Sequence, residues 1–462
     1  MPLYAGVSET NITPPADVWL CGYAGRPTPA AGVHDELFAR ALVLDNGVQR
    51  LVLVVADLIA LEDTMVRRVR EGIADCLHMT PGAVMLHCTH THAGPHVGIY
   101  RCMGVPDPTY QELLVRKLIG VARQAAAQMR PARLSCGEAP VQIGVNRRQA
   151  RPDGRIVLGT DFGGPVAPTV QTLCIREISG QIRALLFCHA CHPTTMGGEN
   201  LLISAEWPGV AVALVQQRLR EENFDGNRNP GPLAFCLQGC CGDINPILRG
   251  TWEAVEQNGR AVAEAACAAL WQDMHPLDEQ LDAAEITVEI PMLPPPSVET
   301  CDAMIVEWQE ALDRERARGA DEGRIHWIQG RIDWARSART LAERQNASAF
   351  TRAFSIQRFT LGGAHLIGFP AEMFVQYQLD LSAQARVPIF ALSYTNGCWN
   401  YLPTAAEYAR GGYEIEEAYR FYGTLMFAPE CEPIVRDAAY ALLQIDTPDR
   451  TPYPLQCGRA MP

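Results

Sequence analysis

Runs of β-branched and long aliphatic residues recur along the chain, and each ends abruptly in polar, potentially reactive side chains. Leu51-Val-Leu-Val-Val-Ala56 gives way to Asp57, Ala83-Val-Met-Leu86 to a histidine cluster, and Ala184-Leu-Leu-Phe187 to a second cluster. Pro232-Leu-Ala-Phe-Cys-Leu237 runs into Gln238-Gly-Cys-Cys-Gly-Asp243, His365-Leu-Ile-Gly-Phe369 into Pro370-Ala-Glu372, and Val387-Pro-Ile-Phe-Ala-Leu392 into Tyr394 and Asn396. Continuous apolar runs of this length read as buried strands. Further strands are expected over 4–8, 37–44 and 51–57, the last two joined by the turn signal Asp45-Asn-Gly47. Apolar spacing of three and four predicts helices over 64–77, 109–128, 207–222 and 251–273.

The pattern predicts an α/β fold: one large domain over 1–462, with mixed sheets flanked by helices. After the chain-breaking Pro294-Pro-Pro296, a charged, Trp-containing stretch over 298–344 reads as helical, with a Gly/Asp interruption near 318–323. It is expected to be a helical insertion of about 297–347 packed on the main body. In α/β architectures ligands gather beyond the carboxyl ends of strands, so the polar run-ends imply one shared site.

Composition narrows the function classes. A chain 48% apolar and 20% charged is ordinarily globular rather than disordered. A formal net charge of −13 repels phosphate backbones and anionic lipid, which argues against nucleic-acid partners. No apolar stretch reaches the ~18 residues of a membrane span, and the first residues show no basic, then apolar, export pattern. A soluble, cytoplasmic protein acting on a small-molecule substrate is therefore expected, with a homo-oligomer left open. In that setting the sixteen cysteines read as reduced core side chains.

Six of the eleven histidines fall in two segments: His87, His90, His92 and His96, then His189 and His192. Imidazole is the commonest protein ligand for zinc. An extended 85–92 segment would put His90 and His92 on one face with Cys88 beneath them. The second cluster also matches the haem-attachment pattern Cys-x-x-Cys-His, but it continues an apolar strand, so His192 reads as the functional member and Cys188 and Cys191 as core. Asp57 is expected behind a ligand histidine. Spacing alone selects no oxygen ligand.

The ordered motifs Cys21-Gly-Tyr-Ala-Gly25, Thr89-His-Thr-His-Ala-Gly-Pro95, Val145-Asn-Arg147, His192-Pro-Thr-Thr195, Gly242-Asp-Ile-Asn-Pro246, Phe369-Pro-Ala-Glu372, and Asn396 through Tyr401-Leu-Pro-Thr404 to Glu407-Tyr408 lie within 4–427. Together they resemble the catalytic domain of the neutral/alkaline non-lysosomal ceramidases, which are zinc-dependent amidases. The resemblance implies one zinc ion per chain on His90, His192, Glu372 and Tyr401, with His92 and Arg147 on the scissile carbonyl. The chain departs from the family at its Gly-Asp-Val-Ser-Pro-Asn segment, where Asn245 replaces the serine. An amide cannot act as that nucleophile, so activated water is expected to attack, with Asp243 orienting it and Asn245 donating to the developing oxyanion. The chain stops at Pro462, so no C-terminal immunoglobulin-like domain is expected. Lacking that domain and an export signal, it is expected to cleave the amide of a small or medium-sized N-acyl substrate rather than ceramide itself. The alternatives are an ester or lactone hydrolase and, in another class, a metal-binding or thiol-redox protein without hydrolytic activity.

Overall fold

In the strand Phe38–Asp45, Ala39, Ala41 and Val43 join one core while Leu42 and Leu44 join another. The adjoining strand Arg50–Ala56 repeats the division, Val52, Val54 and Ala56 against Leu51, Leu53 and Val55. Side chains alternate across a strand, so a strand apolar at every position must lie between two covering layers. A computed structural model of the chain, describing residues 2–223, 231–272, 274–344 and 350–445, shows both layers. The ends of the predicted helix at 273 and of the insertion at 345–347, and the stretch 446–462, lie outside the described residues.

The first layer is four helices, α1 (Asp63–Leu77), α2 (Pro108–Ala126), α3 (Glu206–Glu222) and α4 (Trp252–Trp271), which bury residues such as Val69, Leu118, Val215 and Val262 against the sheet. Three of them start on a side-chain cap: Glu62, Asp107 and Thr251 accept from the free N–H groups of the first turn. The second layer is another sheet, of strands Leu281–Pro291, Thr351–Leu361, Ala364–Gly368 and Ile389–Leu392. Its Phe359, Leu361, Leu366, Phe390 and Leu392 interleave with Leu42, Leu53, Leu186 and Phe235 of the large sheet.

Between the first two strands of that smaller sheet the chain runs out as α5 (Val298–Arg318) and α6 (Glu322–Glu343), with Gly319 in the left-handed conformation closing α5. The pair packs on loops of the main body. A side chain at Gly330 would strike Cys102, and Trp334 donates its indole N–H to the Thr424 carbonyl at 2.7 Å. The outer face of the smaller sheet is covered by α7 (Val375–Gln384) and the helix Cys431–Leu443. The order of layers is thus helices, large sheet, small sheet, helices.

The large sheet is antiparallel in its middle and parallel at both edges, where Arg50–Ala56 pairs Val84–Cys88 and Ile182–His189 pairs Leu233–Gln238. In the smaller sheet Ala364–Gly368 pairs Ile389–Leu392 in parallel. Parallel neighbours need a crossover, here α1, α3 and α7 respectively. The carboxyl ends of these strands then open toward one region, and the histidine, glutamate and tyrosine segments are the loops that leave them. No helix among the described residues is long and apolar enough to cross a membrane.

Candidate metal centre

His90, His92 and His192 bring one ring nitrogen each within 4.8 Å of one another. The extended 85–92 segment expected from the sequence is replaced by a turn: the strand ends at Cys88 and His90 has φ +66°. A non-glycine residue there is strained, and the main chain holds it, with His90 N donating to the Leu58 carbonyl at 2.8 Å and Thr89 N to that of Ala56 at 3.0 Å. Tyr394, which also has a positive φ of 52°, stacks its ring on His90 at 3.6 Å.

Each imidazole is gripped from behind through Nδ1. His90 meets the Ile59 carbonyl at 2.7 Å, His192 those of Cys241 at 2.6 Å and Ile244 at 3.1 Å, and His92 that of Gly22 at 3.1 Å. A carbonyl only accepts, so Nδ1 carries the proton and Nε2 presents a lone pair. This explains the glycine of the Cys21-Gly-Tyr motif: with φ +100°, any Cβ on Gly22 would sit 2.6 Å from the His92 ring. Burial pushes His192 down to about 4 and, helped by its imidazole neighbours, His92 well below the ordinary histidine range, so both are neutral.

The bare nitrogens point at one another and at a carboxylate. His92 Nε2 lies 3.1 Å from His90 Nε2, and Glu372 Oε2 lies 3.0 Å from His192 Nε2 and 3.5 Å from His90 Nε2. Burial opposes charge on Glu372, and a cation held among these atoms would offset that penalty. The Glu372 oxygens also accept from Tyr394 Oη at 3.2 Å and from Tyr422 Oη. Lone pairs converging without a shared proton repel unless a cation lies among them. A donor set of imidazole nitrogens and one carboxylate oxygen suits zinc. His92, expected at the carbonyl, thus also stands where a third imidazole donor would.

Tyr401 lies beside Glu372 in a short parallel pairing of Glu372–Met373 with Tyr401–Leu402. Its ring lies under the Arg147 guanidinium at 5.3 Å, while the phenols bonded to Glu372 are those of Tyr394 and Tyr422. Arg147 is buried, ion-paired through Nε to Glu414 at 2.8 Å and bonded through Nη1 to Asn245 Oδ1 at 3.3 Å. Its Nη2 is buried without a well-formed hydrogen bond, a donor left for a ligand. Asn245 thus adjoins Arg147.

Asp243 spends both carboxylate oxygens on the scaffold, accepting from Val375 N at 2.8 Å and Asn146 Nδ2 at 2.9 Å. Burial raises its pKa to about 6. The expectation for Asp57 is corrected: it binds Phe38 N at 2.9 Å and Arg40 at 3.1 Å, and the group behind His90 is the Ile59 carbonyl instead. Glu414, Tyr394 and Tyr422 were not singled out as ligand partners by sequence reasoning. A signal existed only for Tyr394, at the end of an apolar run. The fifteen cysteines described are free thiols, fourteen of them buried, including Cys188 and Cys191.

A mixed α/β scaffold carries three main-chain-oriented imidazoles, a group that could hold a metal ion, with a buried glutamate and a buried arginine beside them at its strand ends. The chain belongs to the neutral/alkaline non-lysosomal ceramidase family, whose N-terminal model matches residues 4–292. It is 24% identical over 510 residues to the neutral ceramidase of Pseudomonas aeruginosa, covering 96% of this chain and 72% of that one. The neutral ceramidase of Drosophila melanogaster is 23% identical, and neutral ceramidase B of Dictyostelium discoideum 26%; they cover 57% and 51% of this chain, which spans only 38% and 34% of their lengths. The crystal structure of the Pseudomonas aeruginosa enzyme superposes with a TM-score of 0.69 at 20% identity, over 98% of this chain and 76% of that one. A ceramidase complexed with C2 gives 0.70 at 19%, over 99% and 78%.

Proposed function

We propose that the protein is a zinc-dependent hydrolase of the amide bond of an N-acyl substrate. The observation that carries this reading is the convergence of three imidazoles, each held through Nδ1 by a main-chain carbonyl, and the Glu372 carboxylate on one point, beside the Nη2 of Arg147, which lies buried without a well-formed hydrogen bond. His90, His192 and Glu372 hold the metal, with Tyr401 as the further ligand that the family resemblance assigns. When bound, zinc supplies Lewis acidity and water ionisation near pH 7.

The protein's own groups do the rest. Arg147 donates from Nη2 to the substrate carbonyl oxygen and stabilises the charge that gathers there as the carbon becomes tetrahedral. Asn245 and Tyr401 fix the guanidinium plane. His92, neutral and with a free lone pair on Nε2, takes the proton released by the attacking water and delivers it to the departing nitrogen. Asp243 keeps the Asn245 loop and the start of α7 in register. With asparagine in place of a hydroxyl at 245, water is the nucleophile.

The sequence departures argue against ceramide, but the relatives' names return it to the head of the candidates. Metal analysis of the purified protein, followed by a screen of ceramide, shorter N-acyl amides, esters and lactones, tests the reading. Amide cleavage that stops with chelator and returns with zinc is expected. Turnover of esters or lactones with no amide cleaved would establish the alternative hydrolase, and a fully active metal-free protein would overturn both.

A further inference from the structure

Glu414 is buried with 0% exposure, and both of its oxygens are bound by guanidinium groups: Oε1 by Arg147 Nε at 2.8 Å and Oε2 by Arg148 Nη1 at 2.6 Å. Adjacent residues of a strand normally point to opposite faces. Here the pairing of the strand Gly144–Ala150 with Ile156–Asp161 slips by one residue between Asn146 and Arg148, and both arginines converge on one carboxylate. Arg148 is fully used elsewhere, through Nε to Glu407 at 2.8 Å and Nη2 to the Gly411 carbonyl at 2.7 Å. Arg147 is not. Glu414 takes its Nε, Asn245 its Nη1, the rings of Tyr401 and Tyr413 flank it at 5.3 and 5.9 Å with the Tyr401 hydroxyl as a further hydrogen-bonding neighbour, and Nη2 makes no well-formed hydrogen bond.

From this we infer that Glu414 is a positioning residue that sets the Arg147 guanidinium plane so that Nη2 faces the carbonyl oxygen of the bound amide. Arg148 in turn locks Glu414 through the segment that carries it. An unclamped arginine would lose this orientation to the many rotamers of its side chain, and a donor preset for the transition state needs no reorganisation at the moment of reaction. The main chain supports the clamp: Gly411 and Gly412 have φ +64° and +97°, a turn that swings Glu414 inward.

This inference rests on the amide-hydrolase reading for its kinetic test. Glu414→Gln should lower kcat for the best N-acyl amide by about 10²-fold, the cost of one misplaced oxyanion donor, with KM and zinc content nearly unchanged. Adding it to Arg147→Met should cost nothing further, because the group it positions is already gone. Additive losses in that double variant, or unchanged kcat in Glu414→Gln, would overturn the inference. If Glu414→Gln does not fold, Glu414→Asp keeps the charge but shortens the reach, and should fold with about tenfold lower kcat; wild-type kcat would overturn the inference equally.

A readout independent of turnover separates this inference from the reaction assignment. In 15N-arginine spectra the Arg147 Nε–H signal, assigned by its disappearance in Arg147→Lys, should be protected from solvent exchange in the wild type and lose that protection in Glu414→Asp. An unprotected wild-type signal would refute the clamp whatever the substrate, whereas a protected signal in a protein that cleaves no amide would refute only the reaction.

Discussion

The two walls of the site are built on different supports. On the imidazole wall, every ring is fixed by a main-chain carbonyl, from Ile59, Cys241, Ile244 or Gly22. On the arginine wall, Arg147 is fixed by other side chains, Glu414, Asn245 and the Tyr401 ring. A carbonyl cannot be substituted away and can only accept, so it dictates the tautomer of the histidine it holds. A carboxylate or amide partner can be exchanged by a single mutation. The imidazole wall is therefore expected to tolerate changes around it, and the arginine wall is where one change, such as asparagine at 245, would alter the surroundings of Arg147 without touching the carbonyls that hold the imidazoles.

The largest expected effects separate ligand from support on the first wall. His192→Ala should reduce zinc affinity by more than about 100-fold, since loss of a ligand exceeds the 10–100-fold typical of losing its hydrogen-bond partner, and should lower kcat/KM by about 10³-fold or more. Ile59→Val changes the side chain of the residue whose carbonyl holds His90 and should leave zinc content unchanged, at a stability cost of about 1 kcal/mol. Elemental analysis and denaturant unfolding read both. Equal zinc loss in the two variants would erase the distinction between the walls.

The same difference explains what could be read from the sequence. His90 and His92 follow one apolar run, His192 a second and Glu372 a third, so strand ends and motifs marked them before any geometry was known. The helices at 64–77, 109–128 and 207–222 were legible from apolar spacing, and the charged, Trp-containing stretch over 298–344 read as helical with a Gly/Asp break; the structure has them at Asp63–Leu77, Pro108–Ala126, Glu206–Glu222 and Val298–Arg318 followed by Glu322–Glu343. That the second cover of the large sheet is another sheet was not legible, because a strand apolar on both faces reads the same under a helix or a strand. Nor was Glu414. It sits 267 positions from the arginine it holds, in a short glycine-led turn without periodicity.

Tyr401 stands between the walls, beside Glu372 in the strand pairing and beneath Arg147 in space, so removing its hydroxyl sharpens the comparison. Tyr401→Phe should cost both zinc affinity and kcat, about tenfold each. Tyr422→Phe, which removes a hydrogen bond to Glu372 together with the contacts of its hydroxyl to Tyr100 Oη and Cys398 Sγ but leaves Arg147 untouched, should cost about tenfold in zinc affinity and leave kcat of the zinc-saturated enzyme near wild type. Zinc titration with a competing chelator, followed by kcat at saturating zinc, distinguishes them. Full zinc affinity in Tyr401→Phe would move that tyrosine wholly to the arginine wall.

The smallest effect concerns Glu206, an acid held by main-chain donors just as the histidines are held by main-chain acceptors. It accepts from Met196 N at 2.6 Å and Trp207 N at 3.2 Å, and the Trp207 indole donates to the His192 carbonyl at 3.3 Å. Burial is the dominant influence and outweighs those donors, raising its pKa from 4.5 to about 7. The folded protein therefore keeps a proton that the unfolded chain releases, and the stability so gained is complete below pH 4.5 and is lost as pH rises to about 7. The shift corresponds to about 3 kcal/mol at most. Relative to Glu206→Gln, which cannot ionise, the wild type should thus melt lower at pH 8 than at pH 5. Differential scanning calorimetry of both proteins at the two pH values cancels the other titrating groups. A difference in Tm between wild type and variant that is the same at both pH values would mean that Glu206 is ionised in the folded protein throughout, with its two N–H donors outweighing burial, and would extend to a buried carboxylate the main-chain control seen for the imidazoles.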